Sequence, residues 1–461
     1  MTNPVLEQYT TGKPIVEGAF GHLTPEQTEL LQAMWAKLID SFDKSADELT
    51  SAPMPEDTIG DGANKDGSGA HRSSSAPASG RSSRQRRAAA APSSPAPSTN
   101  GSSTGSGWFG WGSGTKHAEP VEYRQLVQDV ASEESQPPEF VDHHEKQKQS
   151  IREAFWDAVL CDHPDVLLLR FLRARKWHVD DAVDMLLKCL RWRIDEELDR
   201  VVWEGEGPLN LGLMRRGIAA VHKTDRIGQP VIHMIVRLND PKAQPPEEMV
   251  KYTVYLMEVA RVVLHPPAEK ISMLFDVTDI SLSNVDWSFI RTFLHYLEHY
   301  YPECLGLVLI YNASWLFNGL WKLIRPMLDP VVASKVHFLG SMEEIKQFVD
   351  PRNLPKHLGG TDDFAYEYPL PQPGENSAMR DSVGRQAALD KRAAACQKLE
   401  EITRKWALEN SEGSELERER EQAANDLVSA SKDLDRFVRA RNMYHRLGVI
   451  GEDMALRWDK Q

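Results

Sequence analysis

The chain has 461 residues, a formal net charge of −14 and four cysteines. That length allows two or three domains at roughly 150 residues each, and the negative balance argues against a general nucleic-acid binder, which carries a basic surplus. Cys161, Cys189, Cys304 and Cys396 lie far apart with no C-x-x-C pair, so they read as free thiols in a reducing compartment, not as a zinc knuckle.

The opening "MTNPVLEQYTTGKP" has no apolar h-region, and nothing in the chain approaches the ~18 apolar residues of a membrane span. The expectation is a cytosolic protein that touches internal membranes peripherally. In the N-terminal arm, residues 1–41, "HLTPEQTELLQAMWAKLI" predicts a helix. Thr24 is its N-cap, Pro25 opens the first turn and Gln27 completes a capping box. Leu30, Leu31, Met34, Leu38 and Ile39 form the stripe that must be buried.

Residues 42–140 are rich in Ser, Ala, Gly and Pro, most densely from Ser51 to Gly114. Such a segment buries too little apolar area to offset its ordering entropy, so a disordered insertion is expected. Within it, "RSSRQRR" (Arg81 to Arg87) offers a phosphorylation site or an anionic-lipid contact, or is solvated linker. "GWFGWG" sets Trp108, Phe109 and Trp111 in the same segment, as a docking motif or a membrane toe-hold.

A helical subdomain follows, residues 141–205: "SIREAFWDAVL", "LLLRFLRARKW" and "VDDAVDMLLKCLRWR". Asp180 or Asp181 is expected to cap the last, with Ala182, Met185, Leu186, Cys189 and Leu190 inside. Wound at about 100° per residue, the middle segment puts Leu167, Leu168, Phe171 and Leu172 on one face, with Arg170 and Arg173 turned to solvent. Arg175 then projects between Phe171 and Leu168, and Lys176 sits at the face's edge. A guanidinium there is costly unless an anion meets it. The candidates are an internal carboxylate, the carbonyls ending its own helix, or a ligand phosphate.

From 206 to 370 strands alternate with helices. "QPVIHMIVRL", "KISMLFDVT", "LGLVLIYNA" and "KVHFLG" are the β-rich runs. "PEEMVKYTVYLMEVARVVL", "VDWSFIRTFLHYLEHY" and "SWLFNGLWKLIRPML" are the helical patterns between them. This alternation implies a largely parallel, covered α/β sheet. Ser341 and Glu344 cap one more short helix. Residues 371–461 form an extension of two helices, lined by Ala395, Leu399, Ile402 and Trp406 and by Ala423, Leu427, Ala430, Leu434 and Phe437. Their spacing suggests an antiparallel hairpin or coiled-coil arm, packed on the main domain or offered to a protein partner.

Enzymatic motifs are sparse. "HYLEH", His295 to His299, fits H-x-x-E-H, the helical zinc signature with Glu298 as base. No third ligand accompanies it, and its aromatic flanks read as a packing helix, so no metal site is assigned. Asp276 ends a strand, where α/β ligand sites gather, although a lone strand-end Asp is usually a turn anchor.

Three segments in order, "LLLRFLRARKWHVDDAVDML", "YYPECLGLVLIYNASWLFNGLWKLIRPMLDPVVASKV" and "NLPKHLGG", resemble successive signatures of the CRAL-TRIO lipid-carrier family, in its fungal phosphatidylinositol-transfer branch. The likeness covers about Glu145 to Asp363. It implies an N-terminal helical subdomain bracing a largely parallel sheet, with flanking helices enclosing an apolar pocket and a mobile helix closing its mouth. It implies a non-enzymatic carrier whose ligand is a phospholipid, with transient membrane contact and no cofactor. Arg175, Lys176 and Lys335 match the family's phosphate cradle, and Glu303 its inositol-binding acid. Trp315, Leu316, Phe317, Leu320, Trp321 and Ile324 match the lid. Ile271 and Met273 line the pocket where phosphatidylcholine-carrying members have Ser and Thr, so the choline-lipid site looks absent, and Val332 replaces a headgroup-bonding Thr. The resemblance leaves open a second function, sensing an apolar lipid of sterol or squalene type as a scaffold.

Overall fold

The computed structural model describes residues 4–11, 17–42, 136–140, 149–264, 268–408 and 415–458. The expected disordered insertion, with its arginine–serine and tryptophan motifs, lies outside the described residues apart from 42 and 136–140.

The first layer is helical: α1 (Pro4–Thr11), α2 (Pro25–Ile39), α3 (Ile151–Val159), α4 (Pro164–Ala174), α5 (Val179–Asp195), α6 (Leu198–Glu204) and α7 (Leu211–Arg216). The capping box of α2 forms, with Gln27 N donating to Thr24 Oγ1 at 3.3 Å and Thr24 N to Gln27 Oε1 at 3.0 Å. The start of α5 differs from expectation. His178 is its N-cap, and Asp180 and Asp181 fall in the first turn. There they complement the helix dipole without capping, and Asp180 also pairs with Lys37 of α2. Trp35, Phe155, Leu168, Leu172, Leu186 and Leu190 share one buried core.

The second layer is a five-stranded sheet, ordered β1 (Ala219–Thr224), β2 (Pro230–Ile235), β3 (Ile271–Asp276), β4 (Leu305–Tyr311), β5 (Val336–Leu339). β1 runs antiparallel to β2, and the other neighbours are parallel. The crossovers are α8 (Pro246–Val262), α9 (Trp287–His299), and α10 (Trp315–Ile324) with α11 (Pro330–Ser334). Parallel strands in sequential order joined by right-handed crossovers put all these helices on one face. The other face packs Val231, Leu274, Leu307 and Leu309 on Ile345, Phe348, Val349 and Leu354. Side chains alternate accordingly: Ile271 and Met273 face one side, Leu274 the other.

One irregularity matters for the site. Ile271 stands opposite Leu305 but Ser272 opposite Leu307, so Gly306 is an extra residue in β4. A Cβ at Gly306 would sit 1.9 Å from Gln229 Oε1. The bulge lets Leu305 and Val308 face the helices together.

After α12 (Met342–Ile345), capped by Ser341, come α13 (Ser382–Trp406), α14 (Glu415–Val438) and α15 (Met443–Arg446). α13 and α14 form the antiparallel hairpin, with cross-links Lys391–Asp433 and Lys398–Asp426. Leu399, Trp406, Ala423 and Leu427 belong to the same core as Trp35 and Leu168. Past α14 the chain returns to the sheet, where the Val221 N–H donates to Tyr444 Oη at 2.7 Å.

Candidate functional site: an apolar cavity with a charged rim

A cavity of about 280 Å³ lies between the sheet and its crossover helices, near the lower end of the ~300–1,000 Å³ of ligand sites. The sheet contributes Ile232, Ile271, Met273, Phe275, Val308 and Val336. α8 and α9 contribute Leu256, Met257, Phe293 and Leu297 among others, and Val332 lines it from α11. Ile271 and Met273 thus both border the cavity, as apolar side chains.

α10 covers one side. Ser314 caps it, accepting from the Phe317 N–H at 3.4 Å, and Pro326 lies in the 3₁₀ turn beyond it. Of the six lid residues named from the sequence, Phe317, Leu320, Trp321 and Ile324 line the cavity, and Trp315 and Leu316 do not. Trp315 is 85% exposed and Leu323 61%. One helix therefore has an apolar inner face on the cavity and two large apolar side chains, Trp315 and Leu323, on solvent.

Lys335 and Glu303 are brought together: Lys335 Nζ lies 3.9 Å from Glu303 Oε2 and donates to the Leu305 carbonyl at 2.8 Å. Lys335 is itself buried. A lysine that sequence reading missed joins them, because Lys270 Nζ is 4.0 Å from the same Glu303 oxygen. Burial, and then the neighbouring Lys335 charge, hold the Lys270 ammonium below its usual pKa. Lys270 and Lys335 immediately precede β3 and β5, and Glu303 lies just before β4. The three charges therefore line one end of three adjacent parallel strands, where Cys304 and Leu305 enter the cavity wall.

Arg175 and Lys176 stand differently. α4 ends at Ala174, so the helical wheel does not reach Arg175. Arg175 is the C-cap, and Lys176 and Trp177 turn the chain with φ of 50° and 66°. Arg175 is half-buried and Lys176 exposed, and neither makes an ion pair or side-chain hydrogen bond among the described residues. The arginines expected in solvent are the enclosed ones. Arg173 pairs with Glu269 at 2.7 Å and donates to the Gly18 carbonyl at 2.7 Å. Arg170 is buried and reaches the Glu269 carbonyl at 3.3 Å.

The other sequence candidates have local roles. His299 Nδ1 lies 3.0 Å from the His295 carbonyl and the two rings stack. No group of three or more metal-ligating side chains comes together among the described residues. Asp276 accepts from the Thr278 N–H and pairs with Arg237 at 3.2 Å, which makes it a turn anchor. No helix among the described residues is long and apolar enough to cross a membrane.

Residues 214–360 match the CRAL/TRIO domain and residues 122–188 the CRAL/TRIO N-terminal domain. A CRAL-TRIO domain-containing protein of Schizosaccharomyces pombe is 37% identical over 66% of this chain and 69% of its own length. The chain belongs to the CRAL/TRIO family. It is also similar to the phosphatidylinositol transfer protein CSR1 of Eremothecium gossypii, at 29% identity over 73% of this chain and 81% of that one. The Sec14 cytosolic factor of S. pombe is 28% identical over 42% of this chain and 74% of its own.

Proposed function

We propose that this protein is a phosphatidylinositol carrier that exchanges lipid between membranes through a cavity gated by α10. The observation that carries the reading is the cluster of Lys270, Glu303 and Lys335 at one end of a nearly apolar cavity. Two ammoniums share one carboxylate, leaving a local surplus of one positive charge for a phosphodiester, while the carboxylate can accept from inositol hydroxyls. Arg175 and Lys176, unpaired at the end of α4, add donors for the same phosphate. The E. gossypii relative, a phosphatidylinositol transfer protein by name, agrees with this class. Ile271 and Met273 offer no hydrogen bond to a choline lipid, so phosphatidylcholine is not the second cargo. Carriage requires no covalent step and no cofactor. Docking is transient, at the surface of internal membranes, with the protein otherwise cytosolic.

The test is vesicle-to-vesicle transfer. Lys176→Ala with Lys335→Ala should abolish phosphatidylinositol movement while circular dichroism stays unchanged. Glu303→Ala should weaken inositol lipid more than any other ligand. Transfer at the parent rate by the double variant would remove the cradle assignment.

A further inference from the structure

A second, much smaller cleft, of about 20 Å³, opens where the α3–α4 turn, the end of α8 and the chain beyond α14 converge. Three arginines line it: Arg170 from α4, Arg261 from α8, and Arg439 just past α14. Among the described residues Asp162 is the one carboxylate on its wall. The rest of the lining includes Cys161, Leu160 and Met454.

Two of the three guanidiniums are under-used, although each carries five N–H donors. Arg170 and Arg439 are both 5% exposed. Arg439 Nε donates to Asp435 at 2.6 Å, and its side chain makes no other hydrogen bond among the described residues. Arg170 reaches the Glu269 carbonyl at 3.3 Å and stands 3.8 Å from Asp162, while its buried Nε has no acceptor. Buried donors are rarely left unmatched, and each exception calls for a cause.

Charge points the same way. Glu258 is shared between Arg193 and Arg261, and Asp435 between Arg439 and Arg441. With the Arg170–Asp162 contact, five arginines meet three carboxylates. Burial, against the pull of Arg170, raises the pKa of Asp162, so the cleft's own carboxylate is a weak counter-charge. Burial also pushes the Cys161 thiol up to about 12, so it faces the cleft as a neutral S–H. Enclosed cations without a counter-charge are costly, and an anion in the cleft would supply one. Size limits which anion. A water needs roughly 10–15 Å³, so the space suits one particle only slightly larger and excludes a phosphate or carboxylate ligand.

We propose that this cleft binds a single inorganic anion of halide size, held between Arg170 and Arg439 with Arg261 beside it. The site is independent of the lipid reading. It joins the α3–α4 turn, α8 and the C-terminal tail, and because Arg261 and Leu264 also border the large cavity, the anion steadies part of that cavity's wall.

Chloride is the probe. The full-length chain is melted in sodium chloride and in sodium isethionate, whose anion is too large for the cleft, at equal ionic strength so that general screening cancels. Chloride should raise the melting temperature by roughly 3 °C and then saturate, as a ligand of the folded chain alone must. Crystals grown in bromide should show an anomalous-scattering peak between Arg170 and Arg439. Arg439→Gln leaves Arg441 to pair with Asp435, and should lose both the salt difference and the peak. Equal melting of the wild type in the two salts overturns the proposal, as does a chloride preference kept by Arg439→Gln. Water in the cleft, with bromide confined to the outer surface, overturns it too. Should Arg439→Gln fail to fold, the bromide map of the wild type decides alone.

Discussion

Asp165 and Arg420 meet in the core, joined by two hydrogen bonds of 2.8 and 2.5 Å. Burial alone would raise the Asp165 pKa, but the Arg420 guanidinium overrides it and holds the group down at about 2. A folded value below the ordinary ~3.9 contributes stability that is present above pH ~4 and lost as pH falls towards 2. Arg420→Met should therefore cost about 3–5 kcal/mol at neutral pH, because it strands a buried carboxylate. Adding Asp165→Leu should restore much of that loss. Denaturant unfolding of the three chains checks this, and a single variant as stable as the parent would contradict it. Residue-scale chemistry was also where the sequence was least legible. Arg175 was read off a helical wheel continued past Ala174, and the residues that stop the helix, Lys176 and Trp177, adopt positive φ without being glycine, which sequence seldom betrays. Lys270 lies far along the chain from Glu303 and Lys335, so sequence alone does not join it to them. Only the common starting edge of β3, β4 and β5 unites them, although a charge standing at the start of three of the four β-rich runs is a usable signal.

Elements were far easier to read. β2, β3, β4 and β5 lie within the four β-rich runs, since Val, Ile, Leu and Phe crowd a strand covered on both faces. β1 escaped as a discrete strand: "AAVHKT" opens with two alanines, which have weak β-propensity, and it joins the sheet by antiparallel pairing. α10 matched its predicted span, yet its two faces became distinct only in the fold. Phe317 and Leu320 are buried, so their substitution would disturb the closed cavity as well as any docking. Trp315 and Leu323 are exposed and leave the cavity wall untouched. Trp315→Asp with Leu323→Asp should therefore keep the melting temperature within a few degrees and slow vesicle transfer at least several-fold, because Trp and Leu favour the bilayer interface over water. The same double variant should lose cosedimentation with vesicles. Hydrogen exchange gives an independent measurement: residues 315–328 should change protection when vesicles are present during transfer. Equal protection with and without vesicles would move the gate elsewhere.

At the scale of the whole molecule, the C-terminal helices take one of two roles. From sequence, α13 and α14 are a hairpin either packed on the main domain or offered to a protein partner. In the fold their apolar stripes are consumed internally. Leu399, Trp406, Ala423 and Leu427 complete the core of α2, α3, α4 and α5, and Gln32 of α2 donates to the Trp406 carbonyl at 3.0 Å. Beyond them, Arg446 pairs with Glu206, which also accepts from Tyr255, Tyr368 and the Met443 N–H. The tail thus ties the helical layer to α8, whose Tyr252 and Leu256 border the cavity. A chain ending at residue 381 would expose the apolar surface of α2 to α5 and leave Asp165 and Glu206 without their guanidiniums. The expected outcome is loss of cooperative unfolding, with collapse of hydrogen-exchange protection across residues 151–195 and no vesicle transfer. Two milder changes locate the cause. Stopping at residue 440 should keep the helical core but loosen α8, lowering the amount of lipid bound more than the melting temperature. Arg446→Met in the full chain should reproduce that pattern, because Glu206 loses its counter-charge while the hairpin remains docked. If the chain ending at 381 melts cooperatively and still transfers lipid, the hairpin is a true appendage, and its packing on α2 contributes nothing the carrier needs.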